Sequence, residues 1–201
     1  SKCCYQGPPP GEEEKYPIFN SLDHQFHDMC PYCIGLLCIS ILAKVSNHLE
    51  LLKPDPRDAQ ENPEKYARDH AVSELAFGDD AHLMGGADRI DNNFDRVSAA
   101  TNCGKLLALE SLLKIWHRAN DKVLLFSCSV RLLDILEKFL NRQGYVYCRL
   151  DGSTQVSKRQ GMVDDFNGSS SMFIFMLSTK AGGVGLNITS ANRVVIFDPN
   201  W

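Results

Sequence analysis

No stretch of this 201-residue chain is both long and apolar enough to cross a bilayer. The best candidate, residues 34–45, is broken by Gly35, Ser40 and Lys44. A cationic, apolar, small-residue leader pattern is also missing. So is the loop G-x-x-x-x-G-K-[ST], whose backbone amides cradle a triphosphate. Gly104-Lys105 copies its end, but Ala99 stands where the first glycine belongs and Leu106 where a hydroxyl is needed. There is no D-E-A-H-like acidic box either. These gaps exclude a self-sufficient nucleotide site of that kind. A strong excess of one charge is absent as well. The net charge is −4, which argues against a chain that is sticky towards polyanions throughout.

The charge that is present is unevenly placed. Residues 1–103 carry 9 Lys and Arg against 17 Asp and Glu, which gives −8. Residues 104–201 carry 12 against 8, which gives +4. A basic half suits a nucleic-acid-facing surface, although +4 is also unremarkable for a segment of that size. The 44% hydrophobic content is ordinary and allows one medium domain with an appendage. The chain opens on Ser1 rather than Met and stops at Trp201 directly after an apolar run, which predicts a piece of a longer protein.

Eight cysteines are present. Cys103, Cys128 and Cys148 sit in or beside apolar segments and are expected to act as small buried hydrophobes. The other five crowd the first forty residues. Cys30-Pro31-Tyr32-Cys33 has the spacing of half a zinc site. Cys3 and Cys4 would supply further thiolates, with His24, His27 or Cys38 as alternatives. Adjacent cysteines seldom ligate one metal together, so a free-thiol helix start stays open beside zinc.

Residues 1–53 read as a Cys-rich segment followed by a helix. Gly7 to Gly11, with three prolines between, forbids a helix at the start. From Ile34 to Leu52, Leu37, Ile41, Val45, His48 and Leu52 recur at helical spacing, and Pro54 and Pro56 end the pattern. Residues 54–103 read as an acidic, partly disordered linker, with one helix opened by Pro63 and carrying Tyr66, Val72, Leu75 and Phe77.

After Gly104 the rhythm changes. A helix over 105–117 precedes strand 122–127, helix 130–142, strand 145–150, helix 155–167, strand 172–177 and strand 193–198. VLLF and RVVIF carry apolar residues on both faces, the mark of parallel strands buried between helix layers. Alternating strands and helices imply a doubly wound α/β fold. Ligands in such sheets sit beyond the carboxyl ends of the strands. Ser127, Asp151 to Thr154, Ser178 to Asn187 and Asp198 all fall there.

Two of those loops have suitable chemistry. In residues 178–187, STKAGGVGLN, glycines permit positive φ and close approach of a ligand to the backbone. Such a loop after a strand offers converging amides to a polyanion. In the turn Gly152-Ser153-Thr154, a hydroxyl is expected to cap the following helix, and the same groups would hold a phosphate. Lys158 and Arg159 follow in its first turn.

These segments together resemble a known family. Residues 178–201, STKAGGVGLNITSANRVVIFDPNW, resemble motif V of the SWI/SNF-type helicase-like ATPases, a branch of the superfamily-two helicases. KVLLFS (122–127) resembles motif IV. LDGST (150–154) resembles the phosphate-contacting turn, RQGMVDDFN (159–167) the helix after it, and GKLLALESLL (104–113) the helix that enters the lobe. LAKVSNHLELL (42–52) resembles the helical segment ahead of it. The match is nearest the excision-repair, Cockayne syndrome B-like group.

The resemblance implies a parallel-sheet, RecA-like helicase C-terminal lobe over 104–201, truncated before motif VI and preceded by a helical and irregular segment. It implies a parent that hydrolyses ATP with magnesium, translocates on double-stranded DNA or chromatin in the nucleus, and carries an N-terminal RecA-like lobe in the same chain. It assigns Ser127, Gly152, Ser153, Thr154, Arg159, Thr179 and Lys180 to DNA. Gly182, Gly183, Gly185 and Asn187 fall to coupling with the nucleotide cleft. No catalytic residue is expected in this segment. Two alternatives stay open, a zinc-stabilised binding module without ATPase activity and a DEAD-box RNA helicase lobe.

Overall fold

The structure is a computed structural model, and it describes residues 31–78, 99–181 and 185–199. The chain divides into two compact units, Ser1–Asn93 and Phe94–Trp201. No helix among the described residues is long and apolar enough to cross a membrane.

The first unit contains α1 (Pro31–Asn47), a 3-10 turn (Leu49–Leu52), α2 (Asp58–Glu61) and α3 (Pro63–Phe77). The sequence pattern predicts one helix running through to Leu52. Instead His48 takes an extended conformation, φ −169°, and its Nδ1 accepts the Glu50 N–H at 3.1 Å. That cap stops α1 and starts the tighter turn, so a side-chain-to-backbone bond overrides the apolar periodicity. Leu51 and Leu52 are buried by the turn. α3 forms where the Pro63 signal predicts a helix. Pro63 occupies its first turn, Asn62 Oδ1 accepts the Lys65 N–H at 3.2 Å, and Gly78 at φ +48° terminates it. Lys44 reaches Asp69 at 3.6 Å and links α1 to α3.

The second unit is the α/β lobe. Its elements are α4 (Gly104–Arg118), β1 (Val123–Ser127), α5 (Val130–Gln143), β2 (Tyr147–Leu150), α6 (Val156–Gly168), β3 (Ile174–Ser178) and β4 (Arg193–Asp198). The sheet order is β2-β3-β1-β4, and every pair is parallel. β1 pairs with β3 in the register Val123–Ile174 to Ser127–Ser178, which aligns the carboxyl ends of both strands.

The two faces are built by alternation. Leu124, Phe126, Cys148, Leu150, Phe175 and Leu177 share the face that receives Val163 and Phe166 of α6. The Phe166 and Phe175 rings lie 5.2 Å apart. The opposite face takes α5, whose Asp134 and Glu137 meet Arg149 of β2. α5 is strongly amphipathic, with Leu132, Leu133, Leu136, Phe139 and Leu140 all buried. Ser129 caps its start at 3.3 Å, and Gly144 in the left-handed region ends it.

The apolar sequence of β4 misleads. β3 is buried along its whole length, but β4 sits at a sheet edge. Val194 and Ile196, on the α6 face, are 62% and 63% exposed. An edge strand has a neighbour on one side only, so apolar composition does not make it central.

Candidate nucleic-acid and coupling face

Three loops leave the carboxyl ends of adjacent strands and are tied together by hydrogen bonds. The loop after β1 begins at Ser127. Its hydroxyl donates to Ser129 O and accepts the Ser129 N–H, each at 3.2 Å, and the residue is fully buried. Its carbonyl accepts the Thr179 N–H at 3.0 Å, joining this loop to the one after β3. Ser127, expected to face DNA, is therefore an internal support. A hydroxyl at the end of a central strand closes its own turn rather than reaching solvent.

The turn after β2 is organised by Asp151. Its carboxylate accepts the Ser153 hydroxyl at 2.6 Å and the Ser153 N–H at 2.9 Å. The Thr154 hydroxyl accepts the Asp151 N–H at 3.1 Å. Neither hydroxyl caps α6, which starts at Val156 with Gln155 at its N-cap and no side-chain bond there. The expected cap is replaced by a closed Asx-type turn, in which the Asp151 carboxylate takes the Ser153 hydroxyl proton and the Asp151 N–H occupies the Thr154 hydroxyl oxygen. The Ser153 hydroxyl bond, with Arg149 adding to it, holds the Asp151 carboxyl below its ordinary range despite burial.

Arg149 itself is gripped by three acids. It meets Asp134 at 2.7 Å, Glu137 at 2.6 Å and Asp151 at 2.9 Å. Burial works against its charge, but the Asp134 hydrogen bond and the surrounding carboxylates outweigh that and raise its pKa. The basic half of the chain thus spends this cation internally.

The loop after β3 starts with Thr179 and Lys180, both exposed, and the Ala181 N–H bonds back to Ser178 O at 3.0 Å. Gly182 and Gly183 lie outside the described residues. Gly185 has φ +74°, with nothing within 4 Å of a Cβ built on it. Its glycine is required by backbone conformation rather than by crowding. Ala181, Leu186 and Ile188 pack against the core beneath α6, so the loop is anchored by apolar side chains at both ends. The Asn187 carbonyl accepts from Asn167 Nδ2 at 3.0 Å, and Asn167 Oδ1 accepts the Thr189 and Ser190 N–H groups at 3.1 Å. Asn167, at the end of RQGMVDDFN, thus organises this loop, a role that no local sequence signal marks. Arg159, from α6, sends Nε to Thr154 O at 3.2 Å and Nη1 to Ala181 O at 3.0 Å.

Asp198 closes β4 and is buried at 3% exposure. It binds the Cys128 amide at 3.1 Å and the Cys128 thiol at 2.8 Å. Cys128 is therefore a hydrogen-bonding partner rather than only a buried hydrophobe. Cys103 is buried, and Cys148 packs at the α6 core as expected.

The solvent-facing residues at this end include Gly152, Ser153, Lys158, Thr179, Lys180 and Gly185. They offer amides, hydroxyls and two cations, the donors that a phosphate backbone takes. They do not offer a metal site. Asp151 and Asp198 are committed to Ser153, Arg149 and Cys128, and among the described residues no three His, Cys, Asp or Glu come together as ligands. The residues here therefore do not fit the magnesium of a bound nucleotide. Of the zinc candidates, Cys3, Cys4 and Cys30 lie outside the described residues. Cys33 falls within the backbone of α1. A cavity of about 520 Å³, lined by His117, Lys122, Asn167 and Ser169–Ser171, opens at the opposite, amino ends of the strands.

The chain is 50% identical over all 201 residues to Switch 2 of Arabidopsis thaliana, of which it covers 23%. It is 52% identical over 98 residues to the human DNA excision repair protein ERCC-6, covering 49% of this chain and 7% of that protein. It thus spans less than a quarter of the length of these relatives. Among solved structures, the Sulfolobus solfataricus SWI2/SNF2 ATPase C-terminal domain superposes with TM-score 0.55 at 20% identity, over 92% of this chain and 64% of that one. The core of that ATPase in complex with dsDNA gives TM-score 0.55 at 19% identity, over 96% and 33%. These two likenesses show the fold, a RecA-like helicase C-terminal lobe. Residues 104–201 match the family described as "Helicase conserved C-terminal domain". With the sequence relatives, that match places the segment in the SWI/SNF-type helicase-like family, near the ERCC-6 and CSB group.

Proposed function

We propose that this chain is the second motor lobe of a DNA-dependent ATPase that translocates on double-stranded DNA in nuclear chromatin remodelling or DNA repair. The observation that carries the reading is the joining of three strand-end loops into one rim, through Thr179 N–H to Ser127 O and through Arg159 to Thr154 and Ala181. A rigid rim lets a change at one loop be felt at the others. Thr179, Lys180 and the Gly152-Ser153-Thr154 turn meet the DNA backbone. Gly182, Gly183, Gly185 and Asn187 transmit the nucleotide state.

The solved relative in complex with dsDNA supports the ligand class, and the repair and chromatin names of the sequence relatives support the setting. ATP and magnesium belong to a cleft completed by the N-terminal RecA-like lobe of the parent. The triphosphate cradle is missing from this segment, so the segment alone is inactive. Phosphoryl transfer is chiefly positioning and charge stabilisation, which those missing groups supply. The test is phosphate release by the full-length protein with duplex DNA, single-stranded DNA or RNA. Strong stimulation by duplex DNA is expected, and stimulation by RNA alone would overturn the reading.

A further inference from the structure

Arg159 stands in the first turn of α6, beside the exposed Lys158. Spacing alone makes both of them solvated cations, and the family resemblance implies that their face lies near DNA. Their environments differ. Arg159 is half-buried, and two separate nitrogens of its guanidinium donate to two main-chain carbonyls from different loops. Thr154 closes the turn after β2, and Ala181 begins the loop after β3. The two carbonyls belong to residues 27 apart in sequence, and the Arg159–Ala181 bond itself spans 22 residues. Both carbonyls sit on segments already braced from behind. The β2 turn is closed by Asp151 with Ser153 and Thr154, and Ala181 returns its own N–H to Ser178 O. Arg159 links one braced element to the other.

We infer that Arg159 is a positioning residue rather than a phosphate contact, a clamp that fixes the start of the loop after β3 against the turn after β2. This rests on the proposed motor function, and it replaces the DNA-contact role that the family resemblance implies for Arg159. A planar guanidinium serves two acceptors with separate, fixed N–H vectors, which a single ammonium does not reproduce. Charge is therefore not what the site requires. The Lys158 side chain, on the same turn, has no such role and serves as the control.

The test uses full-length protein with Arg159→Ala, Arg159→Lys and Lys158→Ala. Amide exchange at Ala181 is measured without DNA or nucleotide, and turnover is measured against DNA at several salt concentrations. Both Arg159 variants are expected to speed Ala181 exchange and to lower turnover at saturating DNA by about tenfold to a hundredfold, the scale of a small misplacement. The salt slope of DNA affinity should stay at the wild-type value. Lys158→Ala should leave Ala181 exchange unchanged. If Arg159→Lys restores both turnover and exchange, or if Arg159→Ala lowers the salt slope by about 0.9 while Arg159→Lys does not, Arg159 is a phosphate contact and the inference is wrong. Arg159→Lys keeps the test decisive should Arg159→Ala fail to fold. If the wild-type protein shows no DNA-stimulated turnover, the motor reading fails. The clamp is then decided by exchange alone, standing if both Arg159 variants speed Ala181 exchange and falling if Arg159→Lys leaves it at the wild-type rate.

Discussion

Asp198, the last residue of β4, receives both the main-chain N–H and the thiol of Cys128, seventy residues earlier, at 3.1 and 2.8 Å. The pair ties the end of the edge strand to the end of β1. It also quenches the cysteine. Burial first, then the Asp198 hydrogen bond and charge, push the thiol up to about 11. Asp198→Asn removes the charge and should bring the thiol back towards ordinary reactivity. Alkylation of the Cys128 peptide at pH 8, followed by mass spectrometry, should then accelerate several-fold. An unchanged rate would assign the protection to burial alone. Asp198→Ala, which leaves a half-buried amide and thiol without their acceptor, should cost about 1–3 kcal/mol in urea denaturation.

Alkaline pH should destabilise the lobe. Cys128 at about 11 and Cys148 at about 12 both lie above the ordinary thiol value of 9.0, chiefly through burial. A thiol with a raised folded pKa keeps its proton longer in the native state. Its contribution is complete below about pH 9 and is lost as pH rises through 11 to 12. Urea midpoints should be flat from pH 7 to 8.5 and fall beyond pH 9. Cys148→Ala should make that fall shallower, and an unaltered slope would count against this source of pH dependence.

Gly185→Ala should cost about 1 kcal/mol and no more. The φ of +74° disfavours any side chain, but the added Cβ meets nothing within 4 Å. Gly185→Asn should cost less, since asparagine tolerates the left-handed region. A loss of several kcal/mol on alanine substitution would reveal a close neighbour at this position.

Lys180→Ala in the full-length protein should weaken DNA affinity and lower its salt slope by about 0.9, the share of one phosphate contact. Lys180 is exposed, so the fold should not change. An unaltered slope with normal stimulation would remove Lys180 from the DNA track.

The isolated 201-residue chain should release no phosphate from ATP, with or without DNA. Activity that copurifies with the chain through several orthogonal columns would contradict this.

The lobe's elements were legible because they rest on local signals. The strands over 122–127 and 193–198 and the helix over 130–142 follow from apolar patterns within a few residues, as does the helix that Pro63 opens in the first unit. The strand-end location of the candidate loops was legible for the same reason, since parallel topology puts every βα loop on one edge. What the tertiary structure decided were relations over long separations. Sheet order made apolar β4 an edge strand. Asp151 took the hydroxyls that local rules assign to a helix cap. Asp198 found Cys128, and Arg159 found Ala181. A sequence states which groups can donate and accept. Which of them are near enough to pair is settled only when distant segments are packed against one sheet, because hydrogen bonds form over about 3 Å and carry no trace in local periodicity.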